Sequence, residues 1–182
     1  LRVPLAPDGA HDLRAMLEAA KAKPPGVFYV CNPNNPTGSV TPRAEIEWLI
    51  ANKPADSIVL LDEAYIHFSD EKPGADLVRD GKDVVVLRTF SKIFGLAGLR
   101  VGYGIGPAEL VAAIGKVRRA FDITSPAQVA ALASLRAPGT QEELKRRRRM
   151  NAEGRPAIVE ALRDHGFEPI EPAVANFIFA EV

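Results

Sequence analysis

Short runs of consecutive apolar residues alternate along the chain with longer segments in which apolar residues recur at helical spacing. The uninterrupted runs are Val27 to Cys31, Ile58 to Leu61 and Val84 to Leu87, and such runs, bounded by turn residues, are typical of buried strands. Segments with helical spacing flank them at residues 12–20, 41–50, 107–117 and 125–135. Buried strands separated by helices favour an α/β fold, with a mostly parallel sheet and helices on both faces.

The last part of the chain has a different pattern. Residues 141–162 have helical character but contain Pro156, and a proline inside a helix removes a hydrogen bond, so we expect a helix break near it. Residues 176–182 form an apolar run that predicts a strand cut short at the end of the sequence. We therefore divide the chain into a first domain at residues 1–140 and a connecting helix with the start of a second domain at residues 141–182.

Composition excludes several classes of protein. The 182 residues are 47% hydrophobic and 25% charged with a formal net charge of zero, which is typical of a globular protein and gives no general attraction to nucleic acid or an anionic membrane. No apolar run approaches the roughly 20 residues that span a bilayer. The single cysteine, Cys31, excludes an intramolecular disulfide and a multi-cysteine metal site, so we predict no metal and a cytoplasmic location.

The basic run at residues 145–149 follows two glutamates and predicts a solvated helix face.

Three polar clusters carry the candidate chemistry. They lie at residues 32–38, 62–65 and 89–92, and each follows the end of a predicted strand. In open α/β sheets, ligands bind outside the carboxyl ends of the strands. The three clusters are therefore expected to face one site.

These clusters contain the partners that a cofactor with an aldehyde, a phosphate and a pyridine ring requires. An amine forms the imine with the aldehyde, a carboxylate keeps the ring nitrogen protonated, donors hold the phenolic oxygen, and a cation with hydroxyls binds the phosphate. The candidates are, in that order, Lys92; Asp62; Tyr65 and Asn35; and Arg100 with Thr89 and Ser91. Arginine suits bidentate contact with phosphate oxygens.

The same residues carry a family resemblance. Asn34-Asn-Pro-Thr-Gly38, Asp62-Glu-Ala-Tyr65 and the segment from Thr89 to Tyr103 resemble the signatures of fold-type I, class II aminotransferases, which depend on pyridoxal 5'-phosphate (PLP), and are most similar to the histidinol-phosphate aminotransferase family. The resemblance implies that Lys92 is the Schiff-base lysine and, with Asp62 and Tyr65, catalytic. It implies that the cofactor is bound by Asn35, Asp62, Tyr65, Ser91, Lys92 and Arg100.

The resemblance also implies the fold and the partners. Residues 1–140 are expected to be part of the PLP-binding large domain, with an antiparallel strand near Leu99 to Ile105, and the small α+β domain begins after them. Segments before Leu1 and after Val182 are expected in the natural chain, because the family places there a phosphate loop, a ring-stacking aromatic residue and an arginine for the substrate carboxylate.

The expected activity is transamination between histidinol phosphate and 2-oxoglutarate or glutamate, in histidine biosynthesis, by a homodimer. Three alternatives stay open: threonine-phosphate decarboxylation, transamination of aromatic amino acids, and a non-catalytic fragment that keeps only the fold. The first two differ from histidinol-phosphate transamination in substrate contacts, and the third differs in lacking turnover altogether.

Overall fold

A four-stranded sheet positions the rest of the molecule. The computed structural model describes residues 1–23 and 26–181. Strands β1 (Val27–Cys31), β2 (Ile58–Asp62) and β3 (Val84–Thr89) are parallel neighbours, and β4 (Gly102–Ile105) pairs antiparallel with β3. The mostly parallel sheet and its antiparallel strand agree with the prediction.

Six helices and a small second sheet complete the described part of the chain. The helices are α1 (Leu13–Ala22), α2 (Arg43–Asn52), α3 (Ala75–Arg79), α4 (Ala108–Val117), α5 (Ser125–Arg136) and α6 (Thr140–Asp164). Two single-turn 3-10 helices lie at Ile66–Phe68 and Ala97–Leu99, and β5 (Glu168–Pro169) pairs with β6 (Ala180–Glu181). The predicted helices lie within two residues of the observed bounds. Asp12 and Thr124 cap the starts of α1 and α5 with their side-chain oxygens.

The core lies between one face of the sheet and three helices. Alternate strand residues such as Val30, Val59 and Val86 are fully buried there, and α1, α2 and α3 cover them with Leu13, Ala20, Ile46, Leu49 and Leu77. On the opposite face, Val27 and Tyr29 of β1 are each 48% exposed. The predicted helix cover on both faces is therefore incomplete along β1 within the described residues.

Helix α6 runs without a break through Pro156, so the predicted helix break is wrong. Proline removes one hydrogen bond from the helix, but tertiary contacts hold the helix on both sides of it. The Asn151 amide and the Arg155 guanidinium both donate to the carbonyl of Val174, at 3.2 and 3.0 Å, and Val159 is buried one turn later. The division of the chain at residue 140 stays a prediction.

The strand predicted over residues 176–182 is shorter in the structure. Strand β6 begins only at Ala180, and Val182 lies outside the described residues. Among the preceding residues, Phe177 packs edge-on against the ring of Tyr65, with ring centroids 5.0 Å apart. The end of the described chain thus contacts the region where the polar clusters meet.

The basic run on α6 is engaged by acidic neighbours. Lys145 pairs with Glu142 at 2.9 Å and Arg146 pairs with Glu143 at 2.7 Å, on an exposed helix surface. This agrees with the predicted solvated face. None of the helices in residues 1–23 and 26–181 is both long and apolar enough to cross a membrane.

Candidate active site

The three polar clusters meet at one edge of the sheet. In the strand register Cys31 lies beside Asp62, and Asp62 lies beside Leu87, so β1, β2 and β3 end at nearly the same level. The loops that follow these strands therefore start side by side, as the sequence predicts. Cys31 itself is buried at 5% exposure, and burial raises the pKa of its thiol.

One residue from each cluster contributes to a connected group. The Asn35 side-chain amide donates to the Tyr65 hydroxyl at 2.9 Å, and the Lys92 ammonium nitrogen lies 5.0 Å from the centre of the Tyr65 ring. Tyr65 is 4% exposed, so its ring has a fixed position against Phe177. An amide, a phenol and an amine from three separate loops therefore converge.

Buried hydrogen bonds fix the loop that carries Asn35. The side chain of Asn32 donates to the carbonyl of Thr41 at 2.9 Å and accepts from its N–H at 2.8 Å. The hydroxyls of Thr37 and Ser39 both donate to the carbonyl of Gly9, at 2.8 and 2.6 Å. Because these groups are buried and satisfied, the loop has one well-defined conformation.

Asp62 is half-buried at the end of β2, and its carboxylate has a donor on each oxygen. Oδ1 accepts from the N–H of Ala64 at 3.0 Å, and Oδ2 accepts from the hydroxyl of Tyr29 at 2.8 Å. An ionised carboxylate has about four acceptor sites. The carboxylate therefore keeps acceptor capacity for a donor from a ligand.

The hydroxyls and the guanidinium predicted to bind phosphate lie at the two ends of the connection between β3 and β4. Thr89 pairs with Gly102 across β3 and β4, and its hydroxyl accepts from the N–H of Ser91 at 3.0 Å. Arg100 precedes β4 in the left-handed conformation, with φ of 50°. Its exposed guanidinium donates to the carbonyl of Ala97 at 2.8 Å, and among the described residues it has no carboxylate partner.

Glu63 and Arg88 form a buried ion pair that the sequence reasoning missed. Glu63 Oε2 accepts from Arg88 Nε at 2.8 Å and Oε1 accepts from the N–H of Gly74 at 2.6 Å, while the two side chains are only 2% and 12% exposed. The pair could have been found by aligning the ends of β2 and β3, because this pairing places Glu63 beside Arg88. The pair links the end of β2, after Asp62, to the strand that leads into Lys92.

Replacing Arg88 with methionine is expected to lower the free energy of unfolding by about 3 kcal/mol, because it leaves the Glu63 carboxylate buried without its partner. Burial raises the pKa of Glu63, and Arg88 partly offsets this. Without Arg88 the folded protein binds the proton more tightly than the unfolded chain does, so stability falls as pH rises through the raised pKa. Urea unfolding should show a larger loss at about pH 8 than at about pH 5.

The matched control is Arg79→Met, since Arg79 and Asp80 form a largely exposed pair at 3.8 Å. Such pairs contribute little to stability. Equal losses in the two variants, or a loss for Arg88→Met that does not depend on pH, would contradict the role given to the buried pair.

Helix α6 also contacts the turn that carries the candidate lysine. The Arg147 guanidinium donates to the carbonyl of Ile93 at 2.8 Å and pairs with Glu143 at 2.7 Å. Ile93 is the residue after Lys92 and is 4% exposed. This contact holds the turn from the side of the second half of the chain, and nothing in the basic run distinguished Arg147 from its neighbours.

Fold and site together define an α/β protein with a lysine-centred site at the carboxyl edge of its sheet. Residues 2–182 match the family model described as aminotransferase class I and II. The chain belongs to this family.

Curated relatives agree with this assignment. The chain is 46% identical over 180 residues to an aromatic amino acid aminotransferase of Rhodococcus jostii, covering 98% of this chain and 49% of the relative. It is 43% identical over 183 residues to a histidinol-phosphate aminotransferase of Akkermansia muciniphila, covering 100% and 49%. The chain thus spans about half the length of the curated relatives it matches.

A solved structure shows the same fold. The histidinol-phosphate aminotransferase of Sinorhizobium meliloti, determined in complex with pyridoxal-5'-phosphate, superposes with a TM-score of 0.88 at 32% identity, over 98% of this chain and 48% of that one. The predicted fold class is confirmed.

Proposed function

We propose that this chain carries the PLP-binding and catalytic lysine site of an aminotransferase. The observation that carries the proposal is the convergence of the Asn35 amide, the Tyr65 phenol and the Lys92 amine at the edge of the sheet where β2 ends in Asp62. Membership of the aminotransferase family and the likeness to a structure in complex with pyridoxal-5'-phosphate support it.

The donor set fits the chemistry of PLP. Lys92 offers the amine for the aldehyde, Asp62 the carboxylate for the ring nitrogen, and Asn35 with Tyr65 the donors for the phenolic oxygen. Thr89 and Ser91 lie at the start of the connection between β3 and β4 and Arg100 near its end, and hydroxyls and a guanidinium suit a phosphate. When bound, PLP supplies an aldehyde that condenses with amines and a protonated ring that withdraws electrons from the bond to be broken.

The side chains of this site have separate tasks. The Lys92 amine anchors the cofactor and, once released by the incoming amine, takes the proton from the α-carbon of the substrate as general base. The Asp62 carboxylate holds a proton on the ring nitrogen, because a nearby negative charge favours the charged form of the ring. The Asn35 and Tyr65 donors orient the ring relative to Lys92, and the buried loop bonds keep Asn35 in place.

Histidinol phosphate with 2-oxoglutarate is the substrate pair that we propose. The 43% identical Akkermansia relative and the Sinorhizobium structure support it. Aromatic amino acids are the second candidate, because the Rhodococcus relative is 46% identical. A homodimer is proposed as the working form, and apolar side chains on and after α4 provide exposed surface for contacts, with Val117 82% and Phe121 97% exposed.

A coupled assay of glutamate formation tests the substrate. The purified protein with PLP and 2-oxoglutarate is given histidinol phosphate, phenylalanine or threonine phosphate, and glutamate and carbon dioxide are both measured. Glutamate formed fastest from histidinol phosphate is the expected result. Faster turnover of phenylalanine would favour the aromatic substrates, and carbon dioxide without glutamate would contradict transamination.

Replacing Tyr65 with phenylalanine is expected to weaken PLP binding about tenfold, because it removes one donor and leaves the Asn35 amide without its acceptor. A titration that follows the absorbance of bound PLP measures the change. Tyr103→Phe is the control, since Tyr103 lies on β4 with its ring against Phe90. An unchanged affinity in Tyr65→Phe would contradict the role given to the phenol.

A further inference from the structure

Tyr29 occupies a position that its sequence context does not explain. It lies on β1 on the open face of the sheet and is 48% exposed, so packing contributes little to its environment. Its hydroxyl nevertheless donates to Oδ2 of Asp62 at 2.8 Å. A half-exposed aromatic residue thus makes a charge-assisted hydrogen bond to the carboxylate at the candidate site.

The sheet register makes this contact possible. Tyr29 lies beside Leu60, two residues before Asp62 on the neighbouring strand, and side chains two apart on a strand point to the same face. The long phenol ring spans the distance along the sheet that a shorter side chain would leave open. The contact therefore follows from strand pairing, and a single-strand pattern does not reveal it.

We propose that Tyr29 is a positioning residue that orients the Asp62 carboxylate toward the ring nitrogen of PLP, an inference that rests on the proposed function. The N–H of Ala64 holds Oδ1 and the phenol of Tyr29 holds Oδ2. Two donors from different directions fix the plane of the carboxylate. The Asp62 carboxylate then keeps an acceptor position, in a fixed direction, for the ring nitrogen.

The phenol keeps its proton over the working pH range. Burial of the hydroxyl, together with its bond to Asp62, raises the pKa of Tyr29 above the ordinary tyrosine value. The hydroxyl is therefore a permanent donor, and the carboxylate is the acceptor in the pair.

A cofactor-free experiment tests the contact itself. The chain has three tyrosines, so an ultraviolet titration of phenol ionisation contains only three transitions to assign. Asp62→Ala should move one phenol midpoint to lower pH, toward the ordinary value, whereas Asp56→Ala, at an exposed loop position, should move none. Identical titration curves for the wild type and Asp62→Ala would overturn the proposal.

The second experiment tests the positioning role in the PLP-loaded protein. With Tyr29→Phe the Asp62 carboxylate is no longer held in one orientation, so it holds the proton on the ring nitrogen less well. The ring then withdraws fewer electrons. As a result, the nitrogen that joins Lys92 to the cofactor keeps its proton to higher pH. The pH midpoint of the visible absorbance should rise by about one unit, and kcat should fall about tenfold with KM little changed. Tyr103→Phe, a similarly exposed tyrosine of the same sheet at 38%, should change neither.

The outcomes separate this inference from the function on which it rests. An unchanged midpoint in Tyr29→Phe, or equal shifts in both tyrosine variants, would overturn the positioning role while the aminotransferase proposal stands. A wild-type protein that takes no PLP would overturn the aminotransferase proposal and the positioning role with it, and the phenol titration would still report whether Tyr29 and Asp62 are bonded.

Discussion

Replacing Lys92 with alanine is expected to lower turnover by about 10⁴-fold or more while PLP still binds. The variant loses the amine that anchors the cofactor and the base that takes the proton from the substrate. The Asn35–Tyr65 pair, the Asp62 carboxylate and the Thr89 turn remain, because none of them depends on Lys92 for its hydrogen bonds. Cofactor affinity should therefore fall much less than activity.

Single-turnover measurements with added PLP and the amino substrate check this result, and equilibrium dialysis measures the retained cofactor. Lys145→Ala is the matched control, since Lys145 lies on the exposed face of α6 and pairs only with Glu142 among the described residues. The control should keep wild-type turnover. Near-normal transamination by Lys92→Ala would show that another group is the base.

Asp62→Asn is expected to lower kcat by about 10²- to 10³-fold, since it removes the negative charge that keeps the ring nitrogen protonated, and the protonated ring stabilises the negative charge that develops at the substrate α-carbon. Asparagine has nearly the same shape and can still accept from the N–H of Ala64, so the fold should not change. The loss should fall mainly on kcat, because the amide cannot hold a proton on the ring nitrogen. KM for the amino substrate should change little.

Stopped-flow and steady-state rates measure the change, and thermal unfolding checks that Asp62→Asn is folded. Asp56→Asn, at an exposed loop position, serves as the control. A variant with reduced PLP content but normal kcat per bound cofactor would show that Asp62 contributes only to binding.

The ends of the strands were the feature of the structure that the sequence predicted best. Val27 to Cys31 forms β1 with the predicted bounds, and the polar residues that follow each strand mark the edge where the site lies. The reason is physical, since buried parallel strands require continuous apolar residues and their loops collect at one edge. Lys92, Asp62 and Asn35 could be selected because each lies in the polar cluster that follows such a run.

Contacts between strands and between distant segments could not be predicted. Tyr29 reaches Asp62 only because β1 and β2 pair in one particular register, and Arg147 reaches the turn after Lys92 only because α6 packs there. The continuation of α6 through Pro156 likewise depends on the contacts of Asn151 and Arg155 with Val174. The helix or strand propensity of a segment does not reveal these contacts, because tertiary packing decides which distant residues meet.

The assignment of Lys92 as the PLP lysine is tested most directly by chemical trapping. The purified protein is incubated with PLP and reduced with borohydride, and the site of the pyridoxyl group is found by peptide mass spectrometry. We expect the label on Lys92, with none on the exposed Lys145 or Lys116. A label spread over exposed lysines, or its absence from Lys92, would contradict the assignment.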